Sequence, residues 1–294
     1  RGRSGKSAMT PTERRTRFRA ILEGPACVHP ASVFDPISAR IAQDLGYETA
    51  MMAGSIASMT VLGAPDLIVL TLTEFADQAR RIGRAASLPL LVDAAHGYGN
   101  ALNVQRTVEE LENAGVAALT IEDTELPQAY GVSATRLISL AEGVGKMKAA
   151  LAGRSDPELR VIGRTSAPAV SGVSETITRI KAYADMGVDA MFLAGLRSLQ
   201  DLDAIAAVSP VPLLLAGGSG PIADAAALAA RKVRVALLGH QPFAAAVQAV
   251  HDTMKAMRAG TPLGAIKGTA AAEMLKVVTR EADYRRWSKE FLGG

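Results

Sequence analysis

The polar residues best suited to do chemistry in this sequence stand where short apolar runs end. Asp93 closes L-P-L-L-V-D, Glu122 and Asp123 close A-A-L-T-I-E-D, and Arg164-Thr165-Ser166 close V-I-G-R-T-S. Gly54-Ser55 follows A-M-M-A, and Gly239-His240 follows V-R-V-A-L-L. Asp93 and Glu122, if brought together, offer hard oxygen ligands and leave water positions open, which suits Mg2+, with Mn2+ as an alternative. Arg164 beside them would present a planar fork that grips a carboxylate through two parallel hydrogen bonds. Each acid taken alone reads more readily as a structural ion pair or a helix cap; their occurrence at consecutive run ends is what favours a site. Gly54-Ser55 could turn backbone N–H groups toward an anionic oxygen, since glycine permits close approach.

Other candidates carry less. His96 and His240 flank the same run ends, but no partner visible in the sequence assigns either as an acid or a base. His29 and His251 read as structural or exposed. Asp35, ahead of Pro36, reads as a helix cap; Asp66 reads as a loop residue or a cap; Ser32 joins the site only by position. Cys27 lies inside an apolar run and reads as a small core residue.

These residues need a scaffold that lines up run ends, and the chain supplies one. A short apolar run paired with a longer amphipathic segment recurs about eight times, the pattern of a parallel sheet covered by helices. The strands are predicted at 27–34, 49–53, 90–94, 117–122, 159–165, 190–194, 212–216 and 233–238. Helices are predicted at 36–45, 72–86, 103–114, 137–152, 174–186, 199–207 and 221–230. Gly46, Gly115 and Gly187 stand where helices should stop, and E-N-A-G-V-A-A-L-T-I-E-D resembles A-D-M-G-V-D-A-M-F-L-A as one βα repeat resembles another. Eight such units in roughly 240 residues predict an α/β fold, a (β/α)8 TIM-type barrel, whose active site lies at the C-terminal ends of the strands. No G-x-G-x-x-G follows the first strand, which argues against a doubly wound dinucleotide fold.

Extra helices are expected at both ends of that barrel. Residues 242–257 and 270–291 read as a C-terminal helical appendage, broken at Gly260-Thr261-Pro262. Seven arginines and lysines within the first 19 residues make residues 1–17 a basic, flexible arm, leaving 18–294 as a single domain. Gly2 to Ser7 reads G-R-S-G-K-S, but its glycine spacing is too short for a phosphate loop and no strand precedes it.

Composition excludes several function classes. The 294 residues are 49% hydrophobic, and 32 basic against 29 acidic residues leave a net charge of +3, no electrostatic argument for nucleic acid. No apolar run approaches the ~20 residues of a membrane span. One cysteine excludes an internal disulfide or a zinc site built from several thiolates, and fits a cytoplasmic protein.

Taken together, A-S-V-F-D-P-I-S-A-R-I-A from Ala31, G-S-I-A-S from Gly54, A-P-D-L-I-V-L-T-L-T-E-F from Ala64, D-A-A-H-G-Y-G-N-A-L-N-V from Asp93, A-L-T-I-E-D from Ala118, E-G-V-G-K from Glu142 and G-R-T from Gly163 carry a family resemblance. Over roughly residues 18–246 the chain resembles the isocitrate lyase and phosphoenolpyruvate mutase superfamily, and within it the oxaloacetate decarboxylase branch. The resemblance implies a barrel enzyme, a lyase, whose Mg2+ holds the carboxylate and 2-oxo oxygen of a small 2-oxo acid or phosphonate. It implies metal-site acids at Asp93 and Glu122, a substrate-binding turn at Gly54 and Ser55, a substrate clamp at Arg164 and a branch-specific histidine at His240. It also implies a homotetramer, a dimer of dimers joined through exchanged C-terminal helices.

The loop after strand four separates the reactions of this superfamily. Lyases of the isocitrate type carry K-[KR]-C-G-H there, whereas Thr124 to Gly131 reads T-E-L-P-Q-A-Y-G with no cysteine, which favours decarboxylation. Phosphonomutase chemistry at the P–C bond is the alternative. The chain departs from the pattern at three points: Asp93-Ala94-Ala95 in place of D-x-D, Ser166 in place of an asparagine, and L-A-G-G-S-G-P from Leu215 without a tyrosine. Ala95 opens a further alternative, a catalytically weakened barrel kept for binding.

Overall fold

A computed structural model of the chain describes residues 9–216 and 224–293. Its core is one eight-stranded parallel sheet in sequential order, curled and wrapped by helices. The strands are β1 (Ala31–Ser32), β2 (Ala50–Met52), β3 (Leu90–Asp93), β4 (Ala118–Glu122), β5 (Arg160–Thr165), β6 (Ala190–Leu193), β7 (Leu213–Leu215) and β8 (Val233–Ala236). They are nearly continuous apolar runs because both faces of the sheet are covered. Val28 donates to Arg234 O at 2.9 Å and accepts from Ala236 N at 3.0 Å, so the approach to β1 meets β8.

Side-chain alternation divides the buried apolar residues into two layers. Met51, Leu91, Ala118, Ile162, Phe192, Leu214 and Val235 meet inside the curl, while Val92, Leu119, Ile121, Val161, Met191 and Leu213 face the helices. Successive strand residues point to opposite faces. Asp93 stands two residues beyond Leu91, Glu122 four beyond Ala118 and Arg164 two beyond Ile162, so all three occupy inward positions. Register completes the arrangement by pairing Asp93 with Thr120 and Glu122 with Arg164.

Among the described residues thirteen α-helices surround the sheet. Helix α4 (Leu72–Ala85) illustrates their logic: Thr71 and Glu74 form a capping box, and Phe75, Ala79 and Ile82 recur on one buried face. Helices α2 (Pro36–Asp44), α5 (Ala101–Asn113), α6 (Leu140–Ala152), α8 (Val173–Met186) and α9 (Leu199–Val208) cover the sheet in the same way, and Asp35 caps α2 as expected.

Several expectations change. Helix α1 (Pro11–Glu23) takes up residues 11–17 of the expected basic arm: Thr10 and Glu13 form a capping box, and Phe18 and Leu22 plug the inner layer. Its Arg14 and Arg15 are buried, donating to Gly83 O, Val116 O and Glu112 O, so this charge clamps the N-terminal end of the sheet. Residues 1–8, with the G-R-S-G-K-S segment, lie outside the described residues. The single helix expected over 270–291 is two, α12 (Ala272–Thr279) and α13 (Glu281–Leu292), divided at Arg280, whose φ is 62° and whose guanidinium forks onto Asp44 at 2.7 Å twice. The first strand is reduced to two residues, α10 (Ala225–Ala229) is shorter than predicted, and α3 (Gly54–Leu62) and α7 (Ala167–Val170) were not expected. Helix α11 (Gln241–Arg258) buries none of its residues, and among the described residues no helix is long and apolar enough to cross a membrane.

Candidate active site

A cavity of about 510 Å3 opens at the C-terminal ends of β3, β4 and β5. Gly54, Asp66, Asp93, Ala95, Glu122 and Arg164 line its floor, and Leu126, Pro127 and Ser133 to Thr135 from the loop after β4 line its wall. Asp93 is the hub. Its Oδ1 accepts from Thr120 Oγ1 at 3.0 Å and from Ala95 N at 3.2 Å, and its Oδ2 takes the Arg164 guanidinium in a direct ion pair. Arg164 Nη2 stands 4.0 Å from Glu122 Oε2, its guanidinium lies 5.4 Å from the Phe192 ring centre, and its Nε is buried without a partner among the described residues.

Glu122 is 6% exposed and accepts from Thr124 Oγ1 at 2.5 Å. Burial pushes its carboxyl above the usual carboxylate range, against the pull of the neighbouring Arg164. A buried acid whose nearest arginine is committed elsewhere is short of positive charge. Asp93 and Glu122 therefore fit a hard divalent cation that keeps several of its waters. Among the described residues no cluster of three or more acidic, histidine or cysteine side chains is placed to hold a metal ion by itself.

Ala95 lines the cavity with a methyl group where the sequence resemblance implied a second acid. Its φ of 47° lies in the left-handed region, and its carbonyl accepts from Glu122 N at 2.8 Å, so the peptide after Asp93 braces the second acid. Gly54 passes close under the same strand: a Cβ there would stand 3.4 Å from Asp93 O.

Asp66 is the floor residue that sequence reading left in a loop. The chain turns back after α3, where Ser58 Oγ donates to Pro65 O at 2.9 Å, and this returns Asp66 to the cavity. Burial and the Asp93 charge raise its carboxyl above the usual range. The only sequence signal was A-P-D between two helical stretches, which has no period to point its direction.

Ser55, Ser166 and His240 do not line this cavity among the described residues. Ser55 is in the first turn of α3, Ser166 precedes α7 and accepts from Ala169 N with its carbonyl, and His240 precedes α11. His240 Nδ1 is 2.8 Å from Ser32 Oγ, and burial holds its imidazole below the usual range against the field of Asp93. His29 Nδ1 meets Ala236 O at 2.8 Å and His251 is exposed, matching their structural and surface readings. Cys27 is buried and free. Part of the segment without the expected tyrosine falls at 217–223, outside the described residues.

Behind the floor, a charged network ties the β4 loop to α8. Asp123 is fully buried; its Oδ2 accepts from Arg179 Nη1 and from Tyr183 Oη, both at 2.9 Å. Arg179 Nη2 also donates to Ile138 O at 3.0 Å, and Ile138 N donates to Asp123 O at 2.9 Å, so both ends of the loop are pinned. Arg179 and Tyr183 were not singled out from sequence, since each sits in an ordinary amphipathic helix.

His96 is 3% exposed, its Nδ1 has no partner among the described residues, and Lys146 Nζ donates to its backbone oxygen at 3.0 Å. Burial, reinforced by the Lys146 charge, pushes the imidazole down to about 4. Between that value and the ordinary one near 6.5 the unfolded chain binds a proton that the folded chain excludes. His96 therefore draws stability down as pH falls from about 6.5 to about 4 and contributes no slope above. Urea unfolding at pH 7 and pH 5 is expected to give a smaller difference for His96→Gln than for the unaltered chain; equal differences would contradict the assignment.

With the geometry described, similarity to known proteins can be stated. The model of the phosphoenolpyruvate phosphomutase family matches residues 18–258. An oxaloacetate decarboxylase of Bradyrhizobium diazoefficiens is 55% identical over 280 residues, covering 95% of this chain and 97% of that protein. An oxaloacetate decarboxylase of Rhodopseudomonas palustris is 53% identical over 285 residues, covering 97% and 99%. Among solved structures, oxaloacetate acetylhydrolase in complex with oxalate aligns with a TM-score of 0.84 at 28% identity, covering 97% of this chain and 100% of that one. Phosphonopyruvate hydrolase in complex with oxalate and Mg2+ aligns with a TM-score of 0.84 at 27% identity and the same coverage.

Proposed function

The chain belongs to the phosphoenolpyruvate phosphomutase family, and from that membership we propose that it is a divalent-cation-dependent lyase that decarboxylates oxaloacetate or a close 2-oxo acid relative. The observation that carries this reading is the convergence of Asp93 and Glu122 with Arg164 on one cavity floor. The scaffold is read as a closed (β/α)8 barrel, supported by the bridge between Val28 and Val235. A homotetramer with exchanged C-terminal helices is part of the proposal, supported by exposed apolar residues such as Val250, Met254, Trp287 and Phe291. A cytoplasmic setting rests on the single buried free thiol.

In this reading Asp93 and Glu122 hold Mg2+, with Mn2+ as an alternative, and Arg164 grips the substrate carboxylate. When bound, the cation would polarise the 2-oxo oxygen and ease collection of the electron pair from the breaking C3–C4 bond. Gly54 leaves room for a flat oxo acid beside Asp93, and Thr124 keeps Glu122 Oε2 aimed inward. The loop wall of Leu126, Pro127 and Ala134 screens the floor from water, which strengthens every charge interaction on it. Carbon dioxide leaves, the pair passes through the enolate of pyruvate, and C3 takes up a proton. Ser55, beside Gly54, Ser166, two positions beyond Arg164, and His240, within the field of Asp93, are proposed to reach the substrate from beside the cavity rather than from its lining; a neutral His240 offers one donor and one acceptor nitrogen rather than a charge.

The test is turnover with Mg2+ of oxaloacetate, followed as pyruvate, and of phosphonopyruvate, followed by phosphorus NMR. The expected result is pyruvate from oxaloacetate and an unchanged phosphorus spectrum. Conversion of phosphonopyruvate alone would replace this reading with P–C chemistry, and silence on both would favour a binding role.

A further inference from the structure

Arg164 has two partners in prospect and one guanidinium. As the substrate clamp it must reach a carboxylate of the oxo acid; in the structure its Nη1 is spent on Asp93 Oδ2, an oxygen of the acid assigned to the cation. Its Nη2 stands 4.0 Å from Glu122, and its Nε is buried without a partner among the described residues, so the fork is only partly satisfied by them. Arginine stays charged throughout the accessible pH range and cannot escape by losing a proton. Among the described residues that line the floor, Asp93, Glu122 and Asp66 lie in the field of this guanidinium.

We infer that Arg164 is the resident counter-cation of Asp93, exchanged for the divalent cation when that ion binds and thereby released to the substrate carboxylate. This rests on the reading proposed above and adds to it an order of events. Before loading, the guanidinium competes with the divalent ion for Asp93 and is withheld from the substrate. After loading, Asp93 is neutralised by the ion, the charge on Arg164 is in surplus, and an incoming carboxylate is its best partner. The face of Phe192, 5.4 Å from the guanidinium, gives the group a surface to pivot over without leaving the acidic floor. Cation and oxo acid then bind with positive coupling, in the range of roughly 5–150-fold usual for linked sites.

The exchange predicts opposite gains for two variants, measured by calorimetry with Mg2+ alone and with oxalate alone. Arg164→Gln removes the competitor, so it is expected to bind Mg2+ in the absence of oxalate roughly tenfold tighter than the unaltered chain, while losing the coupling to oxalate. Asp93→Asn removes the partner, so it is expected to bind oxalate in the absence of metal roughly tenfold tighter than the unaltered chain. Equal or weaker binding in either experiment overturns the exchange. Where Arg164→Gln fails to fold, Asp93→Asn decides. The reading beneath it is checked separately: an unaltered chain that binds no Mg2+ even with oxalate defeats the proposed function, whereas one that binds both but gives variants without these gains defeats the exchange alone.

Discussion

Asp93→Asn is expected to lower kcat/KM for oxaloacetate by roughly 10^3-fold, about 4 kcal/mol of transition-state stabilisation. The amide is nearly isosteric, so hydrogen bonds to Thr120 and Ala95 can persist at one oxygen while the charge is gone. The loss falls on the cation, because half of the acidic pair that would hold it is gone. Excess Mg2+ restores occupancy but not the missing negative charge that positions the ion, so kcat as well as KM should remain impaired at saturating metal. A pyruvate-coupled assay across a Mg2+ titration measures this. Activity within tenfold of the unaltered chain would remove Asp93 from the reaction.

The second large effect is on stability. Arg179→Met is expected to cost about 3–5 kcal/mol, because it strips the buried Asp123 of its ion-pair partner and leaves Tyr183 as its one side-chain donor among the described residues. For a chain of this size that corresponds to a fall in Tm of roughly 10 °C. The same change frees Ile138 O, so the loop over the cavity should become the first segment to open. Thermal unfolding gives the total cost, and hydrogen exchange at residues 124–138 locates it. A shift under about 2 °C would mean that Asp123 is compensated by something other than Arg179.

How much was legible beforehand depended on the kind of signal each residue leaves. The strand-end positions of Asp93, Glu122 and Arg164 were legible from three apolar runs, whereas their inward direction was not, because runs that are apolar on both faces do not mark which face turns inside. Asp66 leaves no such trace. It enters through a non-periodic turn after α3, a helix whose first residues had been read as a bare turn, and its direction depends on where that helix lands. Arg14 and Arg15 misled for a related reason: a cluster of basic residues reads as solvated until backbone oxygens of Gly83, Val116 and Glu112, some 70 to 100 positions away, are brought against it. Arg280 repeats the lesson at the other end, where a left-handed residue without glycine is held by Asp44 from α2.

The sequence by itself determined the succession of parallel strands and helices and the set of polar residues at the strand ends, since these are consequences of local period and short connections. Only the tertiary structure decided which charge answers which. Whether Arg164 meets Asp93 or Glu122, whether Asp123 is a ligand or a buried partner of Arg179, and whether Asp66 joins the floor depend on distances of a few ångströms between segments far apart in the chain. Electrostatic pairing varies steeply over such distances, and the alternation that aims a side chain inward carries no information about them.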